Sequence, residues 1–340
     1  MTKISMIGLD LAKNVFQVHA VDASGRPVLR KQLRRAQVLK FFGGLEPCIV
    51  GMEACGSAHY WARELAKLGH EARLMPPAYV KPYVKRNKTD DRDAEACCEA
   101  MQRPTMRFVA VKSEAQQAIQ VLHRTRGLLV RQRTMAANAL RAAFAEFGVV
   151  AAQGFKGVRA LAERLSAADC PLPAPAREAV LIIARQWQSL DADVRTLERR
   201  IVQAARADAA ARRLMQVPCI GPIIASALVS AVPDARVFRS ARGFAAWLGL
   251  TPRQSGSGGK QRSGSISKQG DRHLRSLLIT GASAQLRYAR ARGGDPWLTE
   301  LLARRPYKVV AVALAAKTAR IAWALLAKGE DYRAPVSAAV

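Results

Sequence analysis

The chain has 340 residues, half of them hydrophobic, so it is long enough for two or three domains with sizeable cores and is not a disordered polymer. Its 54 Lys and Arg residues outnumber 26 Asp and Glu residues, which gives a formal net charge of +28. A charge of this size predicts a polyanionic partner, and nucleic acid is the commonest one. Residues 211–340 carry most of the excess, with 21 Lys and Arg against 6 Asp and Glu.

The six cysteines show neither C-x-x-C spacing nor a paired framework, and the chain shows no signal peptide. They are therefore interpreted as reduced thiols of a cytoplasmic protein. The five histidines are scattered, which argues against a zinc site. The most apolar stretch, residues 309–326, is interrupted by Lys317 and Arg320, so no membrane span is predicted.

Strand-like and helix-like segments alternate through the first third of the chain. Strands are predicted at residues 3–9, 15–21, 27–33, 48–52 and 72–75, and helices at 37–42, at 57–68 and from Asp90 onward. A three-strand meander followed by alternating helix and strand predicts a mixed α/β sheet covered by helices.

Four acidic residues lie at the ends of predicted strands or on a predicted helix. Asp10 and Glu53 each follow a predicted strand, and strand ends are where open α/β sheets place their ligands. Asp90 and Asp93 are three residues apart on a predicted helix, so their carboxylates share a face. Carboxylates that converge repel one another unless divalent cations intervene, and oxygen ligands suit Mg²⁺. A pair of such ions can clamp the attacking and leaving oxygens of a phosphoryl transfer.

A structural interpretation of the helical acids is also open. Thr89 can act as the N-cap of the helix, with Asp90 and Asp91 stabilised by the positive end of its dipole. On spacing alone this interpretation is the stronger one for Asp90 and Asp93, because acids are common in first turns.

A serine- and glycine-rich segment, residues 250–260, stands between two apolar stretches of the C-terminal third. Its centre, Ser255 to Gly259, consists of three glycines and two serines, and we expect it to be a loop without a stable strand or helix interior. A pliable serine loop in a basic setting can approach a phosphate closely. The surrounding cations are Arg253, Lys260, Arg262, Lys268, Arg272 and Arg275.

Long helical patterns occupy the middle of the chain. One runs over residues 113–147 and a second over 177–206, which together predict a coiled-coil-like arm across residues 114–210. The arm can pair subunits or pack as a hairpin within one chain, and both alternatives stay open. Two further helices are predicted at residues 272–287 and 307–328.

Residues 214–225 resemble a helix-hairpin-helix, in which a glycine turn offers backbone N–H groups to a DNA phosphate. Cys219 stands where that motif usually has its first glycine. The alternative is a plain turn between two helices.

Several of these motifs, taken in order, resemble the DEDD transposases of insertion sequences, the IS110 family. The matching segments are GLDLAK at 8–13, the strand end at Glu53, KTDDRDA at 88–94, GLTP at 249–252, SGGK at 257–260 and ISKQGDR at 266–272. The resemblance covers nearly the whole chain.

The resemblance implies a RuvC-like, RNase-H-like domain at residues 1–113, the helical arm at 114–210 and a mostly helical transposase domain at 211–340. It implies an RNA-guided recombinase whose structured bridge RNA pairs with target and donor DNA. Asp10, Glu53, Asp90 and Asp93 match the metal-binding tetrad, with Mg²⁺ as the cofactor. Ser257 matches the serine that bonds to DNA phosphate, and Ser255 is the lesser candidate.

The predicted mechanism combines these two sets of residues. The tetrad holds magnesium against the scissile phosphate, and Ser257, from the same or a neighbouring subunit of a dimer or tetramer, attacks the phosphorus. The residues predicted to bind nucleic acid are Lys88, Arg253, Lys260, Arg262, Lys268, Arg272 and Arg275.

Three other functions compete with this prediction. The nearest is a metal-dependent RuvC-like nuclease or Holliday-junction resolvase that uses water as its nucleophile. A nucleic-acid-binding protein without catalysis fits the charge but leaves the four acids unexplained. An actin-like sugar kinase also ends its first strand in an Asp, but no glycine-rich adenosine loop follows at the expected places.

Overall fold

The computed structural model of the chain describes residues 3–85, 89–292 and 295–334. The chain divides into two compact units, Met1–Ser113 and Glu114–Val340. The sequence predicts domains at residues 1–113, 114–210 and 211–340, and this finer division stays a prediction.

The first unit is built on a five-stranded mixed sheet. Its strands are β1 (Met6–Asp10), β2 (Val15–Val21), β3 (Pro27–Arg34), β4 (Ile49–Glu53) and β5 (Glu71–Met75). The spatial order is β3-β2-β1-β4-β5. The first three strands form an antiparallel meander, and β4 and β5 run parallel to β1. All five strands agree with the sequence prediction to within a few residues.

Helices cover the two faces of this sheet. They are α1 (Val38–Gly43), α2 (Ala58–Lys67), α3 (Pro77–Val80) and α4 (Asp90–Met101). Successive side chains of a strand point to opposite faces. Ile7 and Leu9 of β1 are therefore buried in one cluster with Trp61 and Leu65 of α2, while Gly8 between them faces α4.

The absence of a side chain at Gly8 lets α4 lie close against the sheet. A Cβ atom at this position would lie 2.0 Å from the carbonyl oxygen of Ala94 and 2.6 Å from the backbone nitrogen of Cys98. Both obstacles are backbone atoms of α4, which cannot rotate away as a side chain can. Gly8 therefore sets the distance between β1 and the helix that carries Asp90 and Asp93.

The variant Gly8→Ala is expected to lower the free energy of unfolding by about 1–3 kcal/mol, the usual cost of overpacking. Urea denaturation measures this change. Gly56→Ala is the matched control, because a Cβ there meets nothing within 4 Å in the described chain, and its effect should stay within about 0.5 kcal/mol. Equal unfolding midpoints for the two variants would show that α4 tolerates displacement from β1.

The second unit is mostly helical. Its elements are α5 (Glu114–Ala145), α6 (Phe155–Arg164), α7 (Ala174–Ala207), α8 (Ala209–Met215), α9 (Pro222–Ala231), α10 (Ala241–Trp247), β6 (Pro252–Ser257), β7 (Lys260–Ile266), α11 (Arg272–Arg292), α12 (Pro296–Arg304) and α13 (Tyr307–Lys328). The long helices α5, α7, α11 and α13 match predicted segments. The short helices α6 and α12 were not predicted, because glycines and prolines interrupt the pattern around them.

The two long helices α5 and α7 pack against each other within one chain. Ion pairs join Arg126 to Glu198 at 2.6 Å and Arg133 to Asp191 at 2.7 Å, so the helices run antiparallel. The arm also contacts the apolar helix α9, where the amide of Gln120 donates to the carbonyl oxygen of Ser230 at 2.9 Å. This contact joins the arm to the C-terminal helices and explains the single compact unit.

The segment that resembles a helix-hairpin-helix forms two helices, α8 and α9, joined by a tight turn. Cys219 in that turn has φ = +79°, a left-handed conformation that favours glycine. The local shape of the motif is thus retained although a cysteine replaces its glycine. Whether the turn contacts DNA stays a prediction.

Helix α13 is long and apolar enough to cross a membrane by those two criteria alone. Val310, Ala311, Leu314 and Ala315 of this helix are buried in the largest core cluster of the second unit. Its apolar character is therefore explained by packing inside the protein.

Candidate active site

The acidic residues predicted to form a metal site come together in the first unit. Asp10 lies at the end of β1, and Asp90 and Asp93 lie in the first turn of α4. One carboxylate oxygen from each of these three residues lies within 4.8 Å of the others. Glu53 is the last residue of β4, the parallel neighbour of β1, and its negative charge helps to raise the pKa of Asp10. Parallel strands end at the same edge of a sheet, which is why Asp10 and Glu53 are neighbours.

The electrostatics of the cluster show that the carboxylates repel one another. The pKa of Asp10 is raised to about 6, first by burial and then by the charges of Asp93, Asp90 and Glu53. A hydrogen bond from the backbone N–H of Leu11 opposes this rise. A bound divalent cation would remove the repulsion, because it supplies the positive charge at the centre of the cluster.

The structure shows only part of the geometry expected if the helical acids serve to cap α4. Thr89 occupies the N-cap position of α4 with an extended backbone, and its carbonyl oxygen accepts the N–H groups of Arg92 and Asp93. Its side chain makes no capping hydrogen bond within the described part of the chain. Asp90 and Asp93 instead share a cluster with a residue of β1.

Cys97 lies beneath the acidic cluster and was not singled out from the sequence. It follows Asp93 by one helical turn, a spacing that places it on the same face of α4. Burial raises its thiol pKa, and the charges of Glu53 and Asp10 raise it further. A thiol with a raised pKa stays protonated in the metal-free protein. The donors of the cluster itself are the carboxylate oxygens of Asp10, Asp90 and Asp93, which fit a hard cation such as Mg²⁺.

The serine segment departs from the predicted irregular loop. Residues 252–266 form a two-stranded antiparallel hairpin of β6 and β7, with Gly258 and Gly259 as its two-residue turn. These glycines have φ values of +56° and +79°, the conformation that a tight hairpin turn of this length requires. Turn geometry therefore outweighs the low strand propensity of glycine in the strands themselves.

Pairing along the hairpin places the two serines beside cations. Ser257 pairs with Lys260 and Ser255 with Arg262, and residues two apart on a strand share a face. One exposed face of the hairpin thus presents both hydroxyls and both positive charges. We call this set of four residues the serine face.

The base of the hairpin is fixed by an arginine that was predicted to bind nucleic acid. Arg275 is buried, and its guanidinium donates to the carbonyl oxygens of Leu248 at 3.0 Å and Gln269 at 2.8 Å. This residue therefore holds the hairpin in place and is not among the exposed cations. The burial of Arg275 could not be predicted from the sequence, because the carbonyl groups that it contacts come from two separate turns.

The other cations predicted to bind nucleic acid have the exposure that such contacts require. Arg253, Lys260, Arg262, Lys268 and Arg272 are exposed in the second unit. Lys88 lies outside the described residues. Nucleic-acid binding by these side chains stays a prediction.

The first unit is a mixed α/β domain with the strand order β3-β2-β1-β4-β5. It carries acidic side chains at the ends of β1 and β4 and in the first turn of α4. These features are consistent with an RNase-H-like DEDD domain. A family model for DEDD transposases matches residues 7–148, and a model for the transposases of the IS116/IS110/IS902 family matches residues 211–297.

Full-length relatives carry the same assignment. The chain is 54% identical over 334 residues to a Pseudomonas aeruginosa protein named "Probable family 20 transposase", covering 97% of this chain and 99% of that one. It is 39% identical to the Yersinia enterocolitica transposase for insertion sequence element IS1328, over 98% of this chain and 99% of that one. It is 36% identical to the Coxiella burnetii transposase for insertion sequence element IS1111A, over 98% of this chain and 92% of that one. The chain belongs to the IS110 family of insertion-sequence transposases.

Proposed function

We propose that this transposase is an RNA-guided DNA recombinase that cuts and rejoins strands through a phosphoserine intermediate with Mg²⁺-assisted chemistry. The observation that carries the proposal is the convergence of Asp10, Asp90 and Asp93, with Glu53 beside them, in a chain of this family. Burial first, and then the charges of Asp93, Asp90 and Glu53, raise the pKa of Asp10 to about 6, and a perturbed carboxyl in such a cluster is typical of a functional site.

Asp10, Glu53, Asp90 and Asp93 are the residues that would hold Mg²⁺. When bound there, the cation would stabilise negative charge on the phosphoryl oxygens of DNA. The protein's own contribution is to fix the carboxylates on rigid elements. Asp10 and Glu53 are the last residues of two strands, and Asp90 and Asp93 lie in the first turn of α4. Gly8 sets the approach of that helix.

Ser257 is the proposed nucleophile. Its Oγ would lose a proton and form a bond to phosphorus, while the bond from phosphorus to a deoxyribose oxygen breaks and that oxygen gains a proton. The phosphodiester is thereby exchanged for a phosphoserine ester of similar energy. The hydroxyl of a second DNA end can reverse the exchange, so strands can be rejoined without ATP. Lys260 and Arg262 on the serine face supply positive charge beside the attacked phosphate.

Nucleic-acid partners follow from the charge distribution. Residues 211–340 hold 21 Lys and Arg against 6 Asp and Glu. The bridge RNA and the two DNA partners are proposed from the family resemblance, and the exposed cations around the hairpin support them.

The experiment that tests this function incubates the protein with end-labelled donor and target DNA, Mg²⁺, and RNA transcribed from the DNA that flanks the gene. Labelled DNA that migrates with the protein in a denaturing gel, and only when the RNA is present, is the expected result. Free DNA ends alone would instead favour the nuclease that uses water. DNA joined equally well without the RNA would refute guidance by RNA.

A further inference from the structure

The groove between α11 and α13 contains an open cavity of about 400 Å³ in the second unit. Its lining residues are Ser283 and Arg287 of α11 and Tyr307 and Lys308 of α13. None of these four residues belongs to the hairpin or to the acidic cluster. We call this cavity the α11–α13 pocket.

The two cations of the pocket have no acidic partner among the residues that the structure describes. Arg287 and Lys308 are exposed, and neither makes an ion pair with a carboxylate in the described part of the chain. The acids of the neighbouring helix α12 and its N-cap are engaged elsewhere, Glu300 with Arg304 and Asp295 with Lys317. The pocket therefore has an uncompensated double positive charge, which attracts an anion.

The start of α13 adds to this attraction. Helix α13 has 22 residues and begins at Tyr307, directly beside the pocket. No side chain caps its N-terminus among the residues that the structure describes. Unsatisfied N–H groups and the helix dipole at such an end favour a bound phosphate.

Tyr307 gives the pocket an aromatic wall. Its hydroxyl donates to the carbonyl oxygen of Ser283 at 2.7 Å, and its ring packs against the core cluster of the second unit. The ring is thus held between α11 and α13. An aromatic ring beside two cations is the combination with which proteins bind unpaired nucleotides, because the base stacks and the phosphate pairs with the cations.

We propose that the α11–α13 pocket binds one unpaired nucleotide of a single nucleic-acid strand, with its base against Tyr307 and its phosphates on Arg287 and Lys308. The inference rests on the nucleic-acid binding in the proposed function and adds a site apart from the serine face. A concave pocket suits an unstacked nucleotide, because the bases of a duplex are not free to enter it.

The test compares the double variant Arg287→Gln/Lys308→Gln with Arg320→Gln, an exposed cation further along α13. Binding of fluorescein-labelled dT12, rU12 and a 12-base-pair duplex is measured without Mg²⁺ at several salt concentrations, with every protein also carrying Ser257→Ala. Chemistry is absent under these conditions. The result is therefore independent of whether Ser257 is the nucleophile.

The double variant is expected to bind the single strands more weakly. Its plot of log K against log salt concentration should be less steep by about 1.4, since each single-strand phosphate contact contributes about 0.7 to the steepness. The Arg320→Gln variant should retain more of the affinity and more of the salt dependence. The dT12 and rU12 arms show whether the strand is DNA or RNA. Equal slopes for the double variant and the Arg320→Gln variant would overturn the proposal, as would a loss confined to the duplex or competition by inorganic phosphate as strong as that by dT12.

A second measurement locates the base without relying on a substitution. A dT12 strand carrying one 5-iodouracil is irradiated with the Ser257→Ala protein, and the adduct is mapped by mass spectrometry. Cross-linking at Tyr307 is expected. Adducts found only in peptides of the hairpin would refute the pocket.

Discussion

Covalent protein–DNA adducts are expected to disappear in Ser257→Ala, with a fall in strand transfer of at least about 10⁴-fold, as for the removal of other catalytic nucleophiles. Alanine offers no oxygen for the bond to phosphorus. Ser257 pairs with Lys260 through the backbone at the end of β6, and its side chain is exposed. The substitution should therefore leave the hairpin and the binding of DNA intact.

Ser255→Ala is the matched control, because Ser255 lies on the same serine face, also exposed, and pairs with Arg262. It should retain adducts within about tenfold of the unsubstituted protein, the effect of a contact worth about 1.4 kcal/mol. Labelled DNA retained on the protein after denaturation measures both variants. Normal adduct levels in Ser257→Ala, with loss in Ser255→Ala, would transfer the role of nucleophile to Ser255.

Asp10→Asn is expected to reduce strand transfer by about 10³-fold or more. A metal ion contributes several kcal/mol of charge stabilisation to phosphoryl transfer, and each 1.36 kcal/mol is a factor of ten in rate. Asparagine keeps the size of the side chain but removes the negative charge that would hold Mg²⁺. The rate of strand transfer at saturating Mg²⁺ measures the loss. A variant with undiminished activity would exclude Asp10 from the metal site.

The same substitution has an opposite effect on stability in the absence of metal. The pKa of Asp10 is raised from 3.8 to about 6 in the folded protein, so the folded state binds more protons than the unfolded chain between these two pH values. The free energy of unfolding of the metal-free protein therefore falls as pH rises through this window. Asp10→Asn has no such proton and should remove this part of the pH dependence, raising the unfolding midpoint at pH 7.

Magnesium should compete with the proton on Asp10. In the unsubstituted protein, the increase in unfolding midpoint on adding Mg²⁺ is expected to be large at pH 7 and to shrink as pH falls below about 6, where Asp10 is protonated. Thermal unfolding at pH 5 and pH 7, with and without Mg²⁺, measures both effects. A Mg²⁺-dependent increase that is the same in Asp10→Asn would show that the cation binds elsewhere.

The sequence by itself determined the regular elements and much of the chemistry of this protein. Hydrophobic periodicity located the strands of the first unit and the long helices of the second unit, since burial of alternate side chains, or of every third and fourth, leaves a local pattern. The positions of Asp10 and Glu53 at strand ends, and of Asp90 and Asp93 at a helix start, likewise follow from local order along the chain.

Only the tertiary structure decided which of these residues meet. The contact of α4 with Gly8, the burial of Arg275 on two separate carbonyl groups, and the pocket made by Arg287 and Lys308 each join segments distant in sequence. The hairpin of the serine segment differs from these contacts, because its Gly258-Gly259 turn is a local signal that outweighs the low strand propensity of the other glycines. Contacts between segments distant in sequence depend on packing across the whole unit, whereas local propensity is set by neighbouring residues, and no short stretch of sequence records them.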